Sequence, residues 1–257
     1  MFKRIFIVGF GRLGSALAQQ ILNSGLSIAG VVSRKSIAHY PFSIFSDVES
    51  LKNELITGDV VFLTAPDSHI HSIAMDLDIP GITLIHCSGA TEIYPSVHAN
   101  SGVFYPLMTF NQISAEINWL EIPVFLESGD EDTQQCLTVF CNQLNIDKTH
   151  CIDSQQRRKI HVAAVIANNM IQALYAASVN FLQENGLPQD VLLPIVHQMV
   201  ANWGKIDPIQ SLTGPMVRGD LKTIAIHEEL LSTNPELLAV YRDMNKLIAR
   251  LLKNIGI

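Results

Sequence analysis

The chain has 257 residues, 48% of them hydrophobic and 16% charged, with a formal net charge of −7. That length holds one large domain or two modest ones, with ample material for buried cores. The negative balance argues against a protein whose main task is to neutralise nucleic-acid phosphates, though not against one local basic pocket.

The N-terminal stretch "MFKRIFIVGFGRLGSALA" places charge before an apolar run, the outline of a secretory signal, but glycines and Arg12 interrupt it. Residues 4–10, "RIFIVGF", read instead as a buried strand that ends in glycine. "RLGSALAQQILNSG" follows helical spacing, with Leu13, Ala16, Leu17, Ile21 and Leu22 on one face and Gly25 as its stop. "LSIAGVV" is a second strand, and "DVESLKNELITG" a helix capped by Asp47 and ended by Gly58. Strand "DVVFLTAP", helix "DSHIHSIAMDLD" and strand "ITLIHCSG" come next. "VFYPL", "IPVFLE", the helical "DEDTQQCLTVFCNQL" and "KTHCID" complete the far side of the same sheet. This alternation predicts an α/β domain over 1–153, a doubly wound, mostly parallel sheet with helices on both faces.

Beyond Asp153 the strand signals nearly vanish, and helical patterns run over 154–185, about 188–203, 218–231 and 235–253. An all-α domain over 154–257 is expected, opened by a capping box at "DSQQ". From Ile160 to Gln183 there is no Asp, Glu, Lys or Arg, a stretch long enough to cross a bilayer. His161, Asn168, Asn169, Gln172 and Asn180 are spread through it, and a lone lipid-facing helix would carry them at high cost. The reading is a helix buried in protein, in a cytoplasmic chain without membrane contact. Ala163, Ala164, Ala167, Ala173, Ala176, Ala177 and Ser178 allow close helix approach on several faces. The domain itself could cover such a helix, but a second subunit would do so more fully, and a homodimer through this domain is expected. The cysteines, Cys87, Cys136, Cys141 and Cys151, show no CxxC pair and no grouping with histidine, which gives no metal signature.

Gly9-Phe10-Gly11-Arg12-Leu13-Gly14 is GxGxxG directly after a strand and opening a helix. The first glycine permits the tight turn, the second lets a pyrophosphate approach the backbone, and the third lets helix and strand pack closely. Free N–H groups at the helix start then hold the anion. NAD-binding versions of this Rossmann-type motif carry an acid roughly 20 residues on, for the adenosine ribose. Here that place holds Ser33, Arg34, Lys35 and Ser36. A guanidinium can grip a 2′-phosphate that a carboxylate would repel, and a serine hydroxyl adds a donor. The cofactor is therefore read as NADP, with Ser33 and Arg34 at its phosphate. Thr64, Ala65 and Pro66 end the next strand at the carboxyl edge, where small residues leave room for the cofactor's ribose.

With "IVGFGRLGSALA", "IHCSGA", "YPLMTF", "IHVAAVIANN" and "SLTGPMVRGDLKTIAIH" in view, nearly the whole chain resembles a bacterial family. Its members join a Rossmann-like, NADP-oxidoreductase-type domain to a helical DUF2520 domain. They are similar in layout to pyrroline-5-carboxylate reductase, 6-phosphogluconate dehydrogenase and related β-hydroxyacid dehydrogenases. The resemblance implies NADP binding and an oxidoreductase role, and it names no substrate. The family pattern places a histidine before the proline of "YPLMTF", where this chain has Tyr105.

The residues themselves offer candidates for chemistry. His161 and Asn168 are seven apart on the long helix and almost eclipsed at about 100° per residue, so imidazole and carboxamide could face the nicotinamide together. The competing reading is that they satisfy each other or a loop backbone in the core. Asp220, Thr223 and His227 share a helical face, and Arg218 at that helix's start could bind a substrate carboxylate or pair with an acid. His86 and Ser88 lie just past a strand's carboxyl end, near the expected substrate. Hydride transfer to a carbonyl needs a proton donor, for which His161 is the first choice and His227 the second. The expected function is NADP-dependent reduction or oxidation of a small carbonyl, hydroxy-acid or imine compound in a cleft between the domains. Two alternatives stand beside it: a non-catalytic NADP-binding sensor, and an enzyme with another redox partner such as a deazaflavin. The sensor gains a little from the lack of a lysine in "IHVAAVIANN", since Lys159 lies off the His161 stripe.

Overall fold

The computed structural model describes residues 3–35, 40–111 and 117–255. Packing divides the chain into two compact units, Met1–Ala167 and Asn168–Ile257.

The first unit is built on β1 (Ile5–Val8), β2 (Gly30–Val32), β3 (Ser43–Phe45), β4 (Val60–Leu63), β5 (Thr83–His86), β6 (Asn100–Pro106), β7 (Val124–Ser128) and β8 (Thr149–Cys151). These form one eight-stranded sheet in the order β3-β2-β1-β4-β5-β6-β7-β8. The pairs from β3 to β6 are parallel, β7 is antiparallel to β6, and β8 is parallel to β7. The order reverses between β1 and β4, the switch point outside which ligands of such sheets bind. Both faces are covered, which is why the strands read as unbroken apolar runs. Ile5, Ile7, Phe62, Ile85 and Phe104 face one core with α1 (Arg12–Asn23) and α4 (Glu131–Gln143). Phe6, Val8, Val61, Leu63 and Leu84 face the other, with α2 (Val48–Lys52) and α3 (Asp67–Asp76).

Two local expectations need correction. The helix capped by Asp47 stops at Lys52, not near Gly58, because the chain turns at once through Asn53–Leu55. Strand β3 had no counterpart in the sequence reading: it is three residues long on the sheet edge, with Ile44 45% exposed, too short for an alternation to register.

The first unit ends with α5 (Ser154–Ala164), whose start is closed by a reciprocal capping box between Asp153 and Gln156. Strands thus end at Cys151, while the division by packing falls after Ala167. A π-helical run, Val165–Met170, follows α5. The second unit contains α6 (Ile171–Glu184), α7 (Leu193–Asn202), α8 (Leu221–Leu230) and α9 (Pro235–Asn254). Helix Ser154–Glu184 is, by length and composition, apolar enough to cross a membrane. The expectation that its charge-poor stretch is buried fails within one chain. No residue from Ile160 to Gln183 is buried, and Val162 is 57% and Met170 53% exposed.

Candidate active site

The turn after β1 is shaped by its glycines. Gly9 has φ +99°, and a Cβ there would lie 2.9 Å from the Ala65 nitrogen, so it needs glycine for both conformation and space. A Cβ on Gly14 would meet the Gly9 carbonyl oxygen at 2.1 Å and Thr64 Oγ1 at 2.6 Å. Gly11 is different: a Cβ there meets nothing within 4 Å. Its glycine is not demanded by the protein's own packing, which is the property expected where a ligand's phosphates approach the backbone. Gly11 is also the N-cap of α1 and supplies no side-chain acceptor, so the first N–H groups, from Arg12 onward, keep donors for an anion. The residues present thus fit a dinucleotide pyrophosphate. Thr64 donates its hydroxyl to the Gly9 carbonyl at 2.5 Å, tying the end of β4 to the turn. Its side chain braces the cradle, a more definite task than the small-residue clearance expected for it. Ala65 is half-buried beside Gly9, and Pro66 is the exposed N-cap of α3.

Beside this turn lies a cavity of about 650 Å³, lined among others by Phe10, Arg12, Gln19, Lys35 and Tyr40. Leu13 packs on the core beneath it. Tyr40 meets the Phe10 ring edge-on at 5.4 Å and stacks on Phe42 at 5.0 Å, giving the cavity an aromatic wall. Of the cations after β2 it is Lys35, not Arg34, that lines this cavity; Arg34 is exposed. The Ser33 hydroxyl is used on its own turn, donating to the Lys35 carbonyl and accepting from the Lys35 N–H, both at 3.1 Å. Ser36 lies outside the described residues.

A second group of residues gathers at the carboxyl ends of β5 and β6. Arg157, one turn into α5, is fully buried. Its Nε donates to Glu127 Oε2 at 3.0 Å, its Nη2 lies 2.9 Å from the same oxygen in the ion pair, and its Nη1 donates to the Ser88 carbonyl at 2.7 Å. Ser154 donates its hydroxyl to the other Glu127 oxygen. This buried ion pair fastens α5 to β7 and to the loop after β5. Neither partner was singled out from the sequence, since an arginine in a capped first turn looks like a solvated one.

His86 is 3% exposed and Ser88 5%. His86 Nδ1 accepts the Ser88 N–H at 3.2 Å, which leaves the ring proton on Nε2. That Nε2 has no hydrogen-bond partner among the described residues; the Glu92 backbone is near but outside bonding geometry. Burial, helped by the Arg157 charge, lowers the His86 pKa to about 3. The Ser88 hydroxyl accepts from the Ala90 and Thr91 N–H groups. Expected near the substrate, both residues are enclosed, and the His86 Nδ1 and the Ser88 hydroxyl hold the loop.

Between them and the surface, His161 sits half-buried with Nδ1 3.0 Å from the Tyr105 hydroxyl. Gly89 closes the third side: a Cβ there would lie 2.4 Å from His161 Nδ1 and 2.8 Å from Tyr105 Cζ. The α-helical spacing on which the eclipsing of His161 and Asn168 rests is interrupted by the π run, whose wider turn rotates Asn168 off that stripe. Asn168 is half-buried.

In the second unit, Asp220 is the N-cap of α8 rather than part of its face. It accepts the Thr223 N–H at 3.1 Å and the Thr223 hydroxyl at 2.7 Å, which hold its carboxyl below the usual carboxylate range. Arg218 is exposed in the preceding loop, before Gly219 at φ +67°. His227 Nδ1 is 2.9 Å from the Tyr241 hydroxyl.

Comparison with known proteins places this geometry. The family model described as "NADP oxidoreductase coenzyme F420-dependent" matches residues 4–88, and the DUF2520 model, a domain of unknown function, matches residues 122–248. No curated protein matches the chain. Among solved structures it is similar to BF3122 of Bacteroides fragilis, which carries an NADP oxidoreductase designation. Identity there is 24% and the TM-score 0.85, over 97% of this chain and 98% of that one. It is also similar to the pyrroline carboxylate reductase of Plasmodium falciparum solved with NADP bound (13% identity, TM-score 0.59, covering 96% and 98%). A third is the imine reductase of Myxococcus stipitatus in complex with NADP+ (14%, 0.63, covering 99% and 95%). At these identities the likeness establishes the fold. The chain thus carries, one after the other, a match to the NADP oxidoreductase model of the coenzyme F420-dependent type and a match to the DUF2520 model.

Proposed function

We propose that the protein uses NADP(H) to reduce a small carbonyl or imine, or to oxidise the corresponding hydroxy acid or amine, beside His161. The observation that supports this most is the shared edge. The Gly9–Gly14 anion cradle follows β1, and the His161–Tyr105–Gly89 group gathers where β5 and β6 end, on the same carboxyl side of a parallel sheet. Bound NADPH would supply the hydride for the substrate carbon. The backbone amides opening α1 hold the pyrophosphate, and Arg12 and Lys35 add charge at the cavity. Arg34, with no acid beside it, is left to meet the 2′-phosphate. His161 gives a proton to the substrate oxygen or nitrogen as its carbon is reduced. His227, engaged with Tyr241, and the capping Asp220 have no part in this reading.

The test is an NADPH-oxidation screen over keto acids and cyclic imines, with small 3-hydroxy acids for the reverse direction. The parent is expected to turn over at least one class, and His161→Ala to lose roughly 10²-fold or more on a carbonyl while binding NADPH as before. NADPH should raise the melting temperature more than NADH, and Arg34→Asp should erase that preference. Full activity in His161→Ala rejects the donor. Tight NADPH binding with no turnover on any compound supports the sensor instead. The description of the matching model favours one further reading, hydride exchange with a deazaflavin, so that coenzyme belongs in the same screen.

The same proposal includes a homodimer through the helical unit. Among its described residues only Ile224, Leu231, Asn245 and Leu252 are buried, too few to hold four helices together. A bilayer is the poorer cover for the charge-poor helix, because Arg157 and His161 in its first turns are fastened to the sheet unit. A second copy brings a surface of the same apolar character.

A further inference from the structure

The Tyr105 hydroxyl has His161 as its hydrogen-bond partner. It lies 3.0 Å from His161 Nδ1, and the two rings meet at 68° with centroids 5.9 Å apart. Tyr105 is buried, and that burial raises its pKa, so the phenol keeps its proton. Only a glycine at position 89 admits this pair, as the 2.4 and 2.8 Å approaches of a Cβ show. Arg157, four residues before His161, is bonded to the carbonyl of Ser88, the neighbour of Gly89. The helix turn carrying the imidazole and the loop that packs on it are therefore fixed to each other. Three chain segments converge on one nitrogen of one ring.

We propose that Tyr105 is the positioning residue of His161, binding Nδ1 so that Nε2 is the nitrogen that exchanges protons with substrate. The inference rests on the reading of His161 as proton donor. A phenol can serve both protonation states of the ring: its O–H donates to Nδ1 of the neutral imidazole, and its oxygen accepts Nδ1–H from the imidazolium. Nε2 carries a proton in either case. When the substrate carbon gains the hydride, the imidazolium's Nε2 proton moves to the substrate oxygen or nitrogen. For that moment the ring is neutral with Nδ1–H on the Tyr105 oxygen. Solvent then restores the proton at Nε2 and returns the resting imidazolium. The neutral ring at rest instead holds its proton on Nε2, with Nδ1 bonded to the phenol O–H. A histidine at position 105 could take on the same task, because either side chain can present a donor to Nδ1.

The experiment is 15N NMR of the full-length protein, with the His161 ring assigned by its loss in His161→Gln. In the parent at alkaline pH the neutral ring should show the Nε2–H tautomer alone. Tyr105→Phe should give an averaged pair of nitrogen shifts, and Tyr105→His should restore the single tautomer. On the compound that turns over, Tyr105→Phe should lower kcat about tenfold with the KM for NADPH unchanged, and Tyr105→His should recover most of it. An unchanged tautomer in Tyr105→Phe overturns the inference. So does a Tyr105→His variant that behaves worse than Tyr105→Phe, since that is the order set by packing alone. Activity retained in His161→Ala would instead remove the donor reading and leave the tautomer result standing.

Discussion

The sheet unit and the helical unit are made from similar proportions of apolar sequence and use it in opposite ways. In the first, alternate residues of each central strand enter one of two closed cores, and Ile7, Phe62, Leu51 and Leu77 have no exposed surface at all. In the second, Ile195 is 68%, Val191 56% and Ile226 56% exposed. A parallel sheet carries its own covering helices, because its crossovers usually contain one, as α1, α2, α3 and α4 do here. A set of amphipathic helices has no such built-in cover and closes only against something else. The contrast teaches that the first unit closes its own cores, whereas the second leaves much of its apolar surface open in a single chain.

The comparison can be broken most severely at the helical face. Met170→Glu combined with Ile195→Glu places two charges where a second copy is proposed to sit. Sedimentation should show a monomer at micromolar concentration, and circular dichroism a loss of helix. In the parent, the melting temperature should rise with protein concentration. A double variant that stays helical, with an unchanged sedimentation coefficient, would mean that this face is solvated.

Within the sheet unit the largest single effect belongs to the buried ion pair. Arg157→Met strands the Glu127 carboxylate, 12% exposed, and leaves the Ser88 carbonyl without its donor. Urea unfolding should register a loss of about 3–5 kcal/mol. A loss under about 1 kcal/mol, the level of a surface pair, would show that the pair is hydrated in solution.

A smaller effect is carried by His86. The unfolded chain protonates this imidazole near the ordinary pH of 6.5 and the folded protein only near 3, so its contribution to stability is complete above pH 6.5. As pH falls through that window the unfolded state binds the extra proton, and stability should drop by up to about 1.4 kcal/mol per pH unit. His86→Asn should flatten that slope between pH 6 and 4. An identical slope in the variant would assign the acid sensitivity to other groups.

How much of this was legible in the sequence follows from range. The β1–α1 turn could be read because Gly9, Gly11 and Gly14 lie close together in the chain and each has a local task. The later helices could be read because their period repeats along the chain. Arg157 and Glu127 could not, being separated by thirty residues and joined only where α5 crosses the end of β7. Tyr105 gave a partial signal as a departure from the family's pattern, but its partner lies fifty-six residues on. The π run broke an argument from even spacing, and no residue type in "VIANNM" announces such a turn. The charge-poor helical stretch is not buried within a single chain, because composition says that such a surface calls for cover and not which chain supplies it.

Gly11 offers the most direct measurement. The residue has an ordinary negative φ, and a side chain added there meets no protein atom. Gly11→Val should therefore fold with an unchanged ligand-free melting temperature, while calorimetric titration shows NADPH affinity reduced at least about tenfold, or 1.4 kcal/mol. Equal NADPH affinity in Gly11→Val and the parent would contradict a dinucleotide cradle at this turn.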